Sequence, residues 1–249
     1  MKNIILLLSV CFLITLNAAT INIAVAANVS YAIEDLKKEF SKLHPDTKIN
    51  IILGSSGKLT AQIRHGAPYM LFMSANMKYP EALYRDKIAI TKPIVYAEGS
   101  LVMLSVKSHD FSKGINLLLD ENIKTIAIAN PKTAPYGIVS VEALKNAKIY
   151  KDIKKKFVYG ESISQTVAYA NTAADIGLIA KSALYSSKMS QYKKGINWVE
   201  VNSKYYTPIE QGLVMLKDAK NSNEAKVFYD FLQSDKAKKI LKNYGYIVK

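Results

Sequence analysis

Apolar runs of three to six residues alternate along this chain with segments whose apolar positions recur every three or four residues. Strands are predicted at Ile21–Ala26, Ile49–Leu53, Met70–Ser74, Leu101–Val106, Thr125–Ala129, Phe157–Tyr159, Ile176–Ala180, Trp198–Val201 and Gly212–Leu216. They are apolar nearly throughout and rich in Ile and Val, the pattern of buried parallel strands more than of half-wet antiparallel ones. Helices are predicted between them at Val29–Leu43, Gly57–His65, Pro80–Lys87, Tyr136–Asn146, Ser162–Thr172 and Glu224–Tyr244, the last breaking near Ser234-Asp235. Ile33, Leu36, Phe40 and Leu43 form the apolar stripe of the first helix, which stops before Pro45. Alternating strand and helix gives an α/β fold. Ligands in such folds sit outside the carboxyl ends of strands, where helices begin. Four of these turns carry small or polar residues: Ala26-Ala27-Asn28, Gly54-Ser55-Ser56-Gly57, Asn130 to Tyr136, and Gly160-Glu161-Ser162. Two fall early and two later, as two facing lobes sharing one cleft would require. No proline- or serine-rich linker separates the lobes, so the crossings fall near Tyr96–Leu101 and Val201–Gln211.

The first residues change the picture of where this protein works. One lysine, an apolar run from Ile4 to Leu16 and then Asn17-Ala18-Ala19 read as a secretory leader cut near Ala19. The run is too short to span a membrane, which needs about 20 apolar residues. The sole cysteine, Cys11, lies within the leader. Val10 before it is bulkier than a lipidation signal wants. The mature chain then has neither a thiol nucleophile nor thiolate metal ligands. Lys and Arg exceed Asp and Glu by 34 to 20, and Arg64 and Arg85 are the only arginines. The lysines are dispersed in pairs and triples on polar faces and loops, which with export argues against nucleic-acid binding and leaves a general pull on anions.

Candidate chemistry concentrates in the turns. Gly54-Ser55-Ser56-Gly57-Lys58-Leu59 follows an apolar strand and opens a helix, where free N–H groups and hydroxyls attract anions. It departs from a nucleotide-binding phosphate loop at Ile52 and Leu59. The alternative reading is a helix cap without a ligand, and Asn28 too is a natural N-cap. Tyr136, at a helix start, is placed to point a hydroxyl into a cleft. His44, His65 and His109 lack metal-site spacing. Ser56 and Lys58, two residues apart at a helix start, do not face one another as a catalytic pair would. The adjacent phenols Tyr205 and Tyr206 are candidate ferric-iron ligands, or else a structural pair.

Read in order, Ala26 to Leu36, Gly54 to Ile63, Gly66-Ala67-Pro68 with Leu71 to Ala75, Asn130-Pro131 through Gly137, Glu142-Ala143-Leu144, and Phe228 to Leu232 with Tyr244-Gly245-Tyr246 resemble the periplasmic molybdate-binding proteins of ABC uptake systems. The resemblance covers essentially the whole mature chain. It implies a two-lobed periplasmic binding protein of the second type, each lobe a mainly parallel sheet flanked by helices. The leader would be residues 1–19, lobe I residues 20–98 and 207–249, and lobe II residues 99–206. It also implies a tetrahedral dianion, molybdate or tungstate, held by neutral donors. The implied partner is a membrane ABC permease, the implied state a monomer, with no cofactor, no protein-coordinated metal and no catalysed reaction. Carried over by position, the ligand-binding residues would be Ser56 through its hydroxyl, Asn28 where many members have serine, Ala27 through its backbone at most, Tyr136 where many have a small residue, and Ile163 where valine is usual. Many members carry a binding tyrosine after Gly-Ile-Val, but Gly177-Leu178-Ile179 is followed here by Ala180. Tyr136 is expected to supply the missing hydroxyl. Three alternatives remain at this point: a sulfate-like oxyanion, ferric iron on Tyr205 and Tyr206, and an exported hydrolase using Ser56.

Overall fold

The structure, a computed structural model, describes residues 19–248; the expected leader, apart from Ala19, lies outside them. Among the described residues, ten strands form two sheets. Strands β1 (Ala19–Ala26), β2 (Thr47–Gly54), β3 (Leu71–Met73), β4 (Ile94–Gly99) and β10 (Ile209–Met215) make the first, in the order β2-β1-β3-β10-β4. Strands β5 (Leu101–Leu104), β6 (Ile126–Ala129), β7 (Phe157–Gly160), β8 (Ile176–Ala180) and β9 (Trp198–Glu200) make the second, in the order β7-β6-β8-β5-β9. The helices are α1 (Ile33–Leu43), α2 (Ser56–Arg64), α3 (Lys78–Arg85), α4 (Pro135–Asn146), α5 (Tyr150–Ile153), α6 (Ile163–Thr172), α7 (Asn223–Phe231) and α8 (Asp235–Asn243).

The two sheets repeat one plan. In each, three neighbouring strands run parallel, and a fourth, inserted from the crossing between the sheets, runs antiparallel with an antiparallel edge strand beyond it. The expectation of mainly parallel sheets thus holds for three strands of each, and both sheets are mixed. Composition did not reveal this because β5 and β10 are as buried as their parallel neighbours. The first crossing is nearly one strand, β4 running into β5 with only Ser100 between. The crossing expected near Tyr96–Leu101 overlaps an edge strand, Ile94–Gly99, with Val95 exposed and Glu98 half-buried. The second crossing passes through a short 3-10 turn at Ser203–Tyr205 before β10.

Packing follows the predicted stripes. Ile33, Leu36 and Phe40 bury one face of α1. The Phe40 ring meets Phe228 edge-on at 4.9 Å and Phe231 at 5.4 Å, which ties α7 to α1. The C-terminal helix breaks where Ser234 caps α8, its hydroxyl accepting from the Ala237 N–H. One predicted helix start moves: Val29 does not open α1. A 3-10 turn at Ala27–Val29 intervenes, and α1 begins at Ile33.

Strand register positions the site. β1 and β2 pair in parallel with Ala26 opposite Gly54, so Ala27-Asn28 and Ser55-Ser56 leave the sheet side by side. β6 and β7 pair with Ala129 opposite Gly160, which does the same for the loop leading to Tyr136 and for Ser162-Ile163.

Candidate oxyanion site

These four turns converge. Ala26, Ala27, Asn28, Gly54, Ser55, Ser56 and Ala75 from the first sheet's side meet Ala134, Pro135, Tyr136 and Ile163 from the second's around one small cavity. All five residues carried over from the resemblance therefore line one space. None of the lining residues carries a carboxylate, ammonium, guanidinium or imidazole.

Each contributes differently. Ser56 is the first residue of α2 and is fully buried. Its Oγ accepts the Ala75 N–H at 2.9 Å, which fixes the hydroxyl oxygen and leaves its proton to donate. Ser55, the residue before α2, is buried and its hydroxyl has no partner. Ile163 is the first residue of α6, and its N–H, like that of every first-turn residue, has no acceptor within the helix. Tyr136 stands second in α4 behind Pro135, a residue suited to that position because it has no N–H to satisfy. The Ala27 carbonyl is occupied, accepting from Ser164 Oγ at 2.8 Å, so its N–H is the backbone group left for a ligand.

Asn28 is not a helix cap. The residues flanking the 3-10 turn and α1 in that position are Ala26 and Ala32. The Asn28 side chain instead points into a buried polar cluster, where Nδ2 donates to Gln211 Oε1 at 2.9 Å and to Tyr246 OH at 3.0 Å. Tyr96 OH also donates to Gln211 Oε1, at 2.8 Å, and Tyr246 OH to the Asn28 carbonyl at 2.8 Å. Asn28 Oδ1, Gln211 Nε2 and Tyr136 OH are left without partners although buried. Buried polar groups are nearly always paired, and Asn28 and Tyr136 belong to residues that line the cavity while Gln211 lies behind them. The Tyr136 hydroxyl reaches deep: a Cβ on Gly99 would lie 2.1 Å from it, and only glycine admits that approach.

Burial pushes the Tyr96 and Tyr136 phenols well above their ordinary pKa and Tyr246 up to about 12. These hydroxyls are protonated donors at neutral pH.

The two sides also touch directly. Gly57 N–H donates to the Thr133 carbonyl at 2.9 Å, Ser182 Oγ to the Asn28 carbonyl at 2.9 Å, and Lys58 Nζ pairs with Glu161 at 2.5 Å. Lys58 is thereby turned to the rim, away from any role as base for Ser56. Tyr206 OH accepts from the Leu101 N–H at 3.3 Å and lies outside the cavity. Among the described residues no group of three or more His, Cys, Asp and Glu side chains is placed to hold a metal ion. Sequence reasoning missed Gln211, Tyr96, Tyr246, Ser164 and Ser182. Of these, Tyr246 stands in the Tyr244-Gly245-Tyr246 motif, and Gln211 is a fully buried amide in strand β10.

The sequence profile of the bacterial extracellular solute-binding proteins matches residues 21–247. A molybdate-binding protein of Azotobacter vinelandii, ModA, is 34% identical over 92% of this chain and 90% of its own. ModA of Rhodobacter capsulatus is 33% identical over 90% and 86%. A solved periplasmic molybdate-binding protein of Azotobacter vinelandii superposes with a TM-score of 0.84, covering 92% of this chain and 99% of its own at 29% identity. The two-sheet plan, the shared cavity and these likenesses agree: the chain belongs to the bacterial extracellular solute-binding proteins, two-lobed and non-catalytic, and is homologous to ModA.

Proposed function

We propose that this protein captures molybdate, and tungstate as well, outside the cytoplasm and delivers it to a membrane ABC permease. The observation that carries the reading is the cavity itself: converging hydroxyls and helix-start N–H groups, several unpartnered, with no cationic side chain in the lining. A fully deprotonated tetrahedral oxyanion accepts on every oxygen, so neutral donors suffice to hold it. Ser56, Asn28, Tyr136 and the backbones of Ala27 and Ile163 are the proposed ligands, with the Tyr136 hydroxyl standing in for the tyrosine absent at Ala180. Homology to ModA supports the choice of anion and permease partner. Residues 20–98 with 207–249 would form one lobe and 99–206 the other. The leader would be cut near Ala19 and the mature protein would act as a monomer. Closure of the lobes on the anion would give the form the permease reads.

Calorimetric titration tests this. Molybdate and tungstate should bind tightly and competitively, sulfate and phosphate far more weakly. Equal, weak responses to all four would reject the assignment.

A further inference from the structure

Asn28 lines the cavity, yet both hydrogens of its amide are spent on Gln211 and Tyr246. Its one free group is Oδ1, an acceptor. An acceptor facing an acceptor-only dianion repels it. The same atom positions support a second pattern, because an amide offers oxygen on one side and nitrogen on the other at equal reach. With both amides reversed, Gln211 Nε2 donates to Asn28 Oδ1 across the 2.9 Å contact and to the Tyr96 oxygen across the 2.8 Å one, the Tyr96 O–H rotating its proton away from Gln211. Tyr246 OH donates to Asn28 Oδ1 across the 3.0 Å contact, while Ser182 still satisfies the Asn28 carbonyl. Asn28 Nδ2 is then free to donate into the cavity.

We infer that Gln211 and Tyr246 are positioning residues that set the polarity of the Asn28 amide, and that the filled site takes the doubly reversed pattern. Resting on the oxyanion reading above, this makes the cluster a filter for protonation state. Donor-out, Asn28 suits a bare dianion. Acceptor-out, it suits an oxyanion that still carries a proton, such as hydrogen phosphate.

The test is a double-mutant cycle read by calorimetry with molybdate. Gln211→Met keeps the length of the side chain and removes both its polar atoms. In the wild-type background it should weaken molybdate roughly tenfold, the worth of one supporting hydrogen bond. In an Asn28→Ser background it should cost less than about twofold, since a hydroxyl rotates freely and has no polarity to set. A purely structural role for Gln211 would give equal penalties in the two backgrounds, and that result overturns the inference. If Gln211→Met does not fold, Tyr246→Phe replaces it in the same cycle. Nitrogen-15 spectra add a direct readout: the side-chain NH₂ signals of Asn28 and Gln211, assigned from the two variants, should both shift on adding molybdate. Signals that stay still while molybdate binds would also overturn it. A wild-type protein that ignores molybdate would instead end the functional reading itself.

Discussion

Replacing Tyr136 by Phe removes one oxygen atom and should move stability and affinity in opposite directions. The side chain is 1% exposed and its hydroxyl has no partner. Burying an unpaired hydroxyl costs about 1–3 kcal/mol, so the ligand-free variant should be more stable than the wild type by up to that amount. For a chain of this size each kcal/mol is worth about 2–4 °C in Tm. The ligand-bound protein should show the reverse. If the hydroxyl donates to the anion, its loss forfeits about 1–3 kcal/mol of binding, roughly a 5- to 150-fold weaker Kd. Thermal melts with and without saturating molybdate, alongside calorimetry, read both arms. The ring still fills the same space between α4 and the first crossing, so loss of packing is not a confounding term. A variant that melts lower without ligand and binds molybdate normally would refute the reasoning on both counts, because the hydroxyl would then serve the fold and not the guest.

Ser56→Ala should also weaken molybdate by about 1–3 kcal/mol by titration, and it strands the Ala75 N–H that Ser56 Oγ accepts, so here the ligand-free Tm should fall. Gly99→Ala should weaken binding at least as much as Tyr136→Phe, because the new methyl would sit 2.1 Å from the hydroxyl and push the ring away. Breaking the exposed Lys58–Glu161 pair with Glu161→Gln should change affinity at most a few-fold, and less at high salt, which titration at two ionic strengths would show. The pH dependence has a definite sign. Tyr246 is held near 12 against an unfolded value of about 10, and Tyr96 and Tyr136 are raised too. Stability from keeping these phenols neutral is fully present below pH 10 and is lost as pH rises through the folded values. Chemical denaturation should give a flat profile from pH 7 to 10 and a decline above it.

The parts of the site legible in the sequence were those built from local chemistry. Gly54 to Lys58 and Asn130 to Tyr136 announce strand-to-helix turns by residue type alone, and the parallel pairing of Ala26 with Gly54 and Ala129 with Gly160 follows from apolar runs feeding helices. The family likeness then selected which residue of each turn faces inward. What the sequence concealed were contacts between residues far apart in the chain. Asn28 meets Gln211 and Tyr246 across 183 and 218 positions, and no local pattern marks such a pair. An N-cap reading of Asn28 was reasonable for a residue preceding a helical stripe, but the 3-10 turn at Ala27–Val29 moves the helix start to Ile33 and frees the amide for the cluster.

The arrangement of charge bears on how selectivity arises. The chain carries a formal +14, yet none of that charge lines the cavity, and the lysine at its rim, Lys58, is neutralised by Glu161. A buried ammonium would bind any anion of suitable size, since Coulomb attraction ignores where the guest keeps its protons. Amide and helix-start N–H donors fixed by the surrounding fold impose a stricter condition, because each must meet a lone pair and cannot accept a hydrogen. Sulfate satisfies that condition, and so molybdate must be told from sulfate by size, through the distance between the α2 and α6 starts. Hydrogen phosphate fails it wherever a fixed donor meets its proton. The surface lysines then supply long-range attraction that is indifferent to identity and screened by salt, while the cavity discriminates. Raising ionic strength should therefore slow molybdate association and leave the ratio of molybdate to phosphate affinity unchanged, as stopped-flow and titration at two salt concentrations would show. A ratio that collapsed with salt would mean that ammonium groups, not neutral dipoles, select the guest.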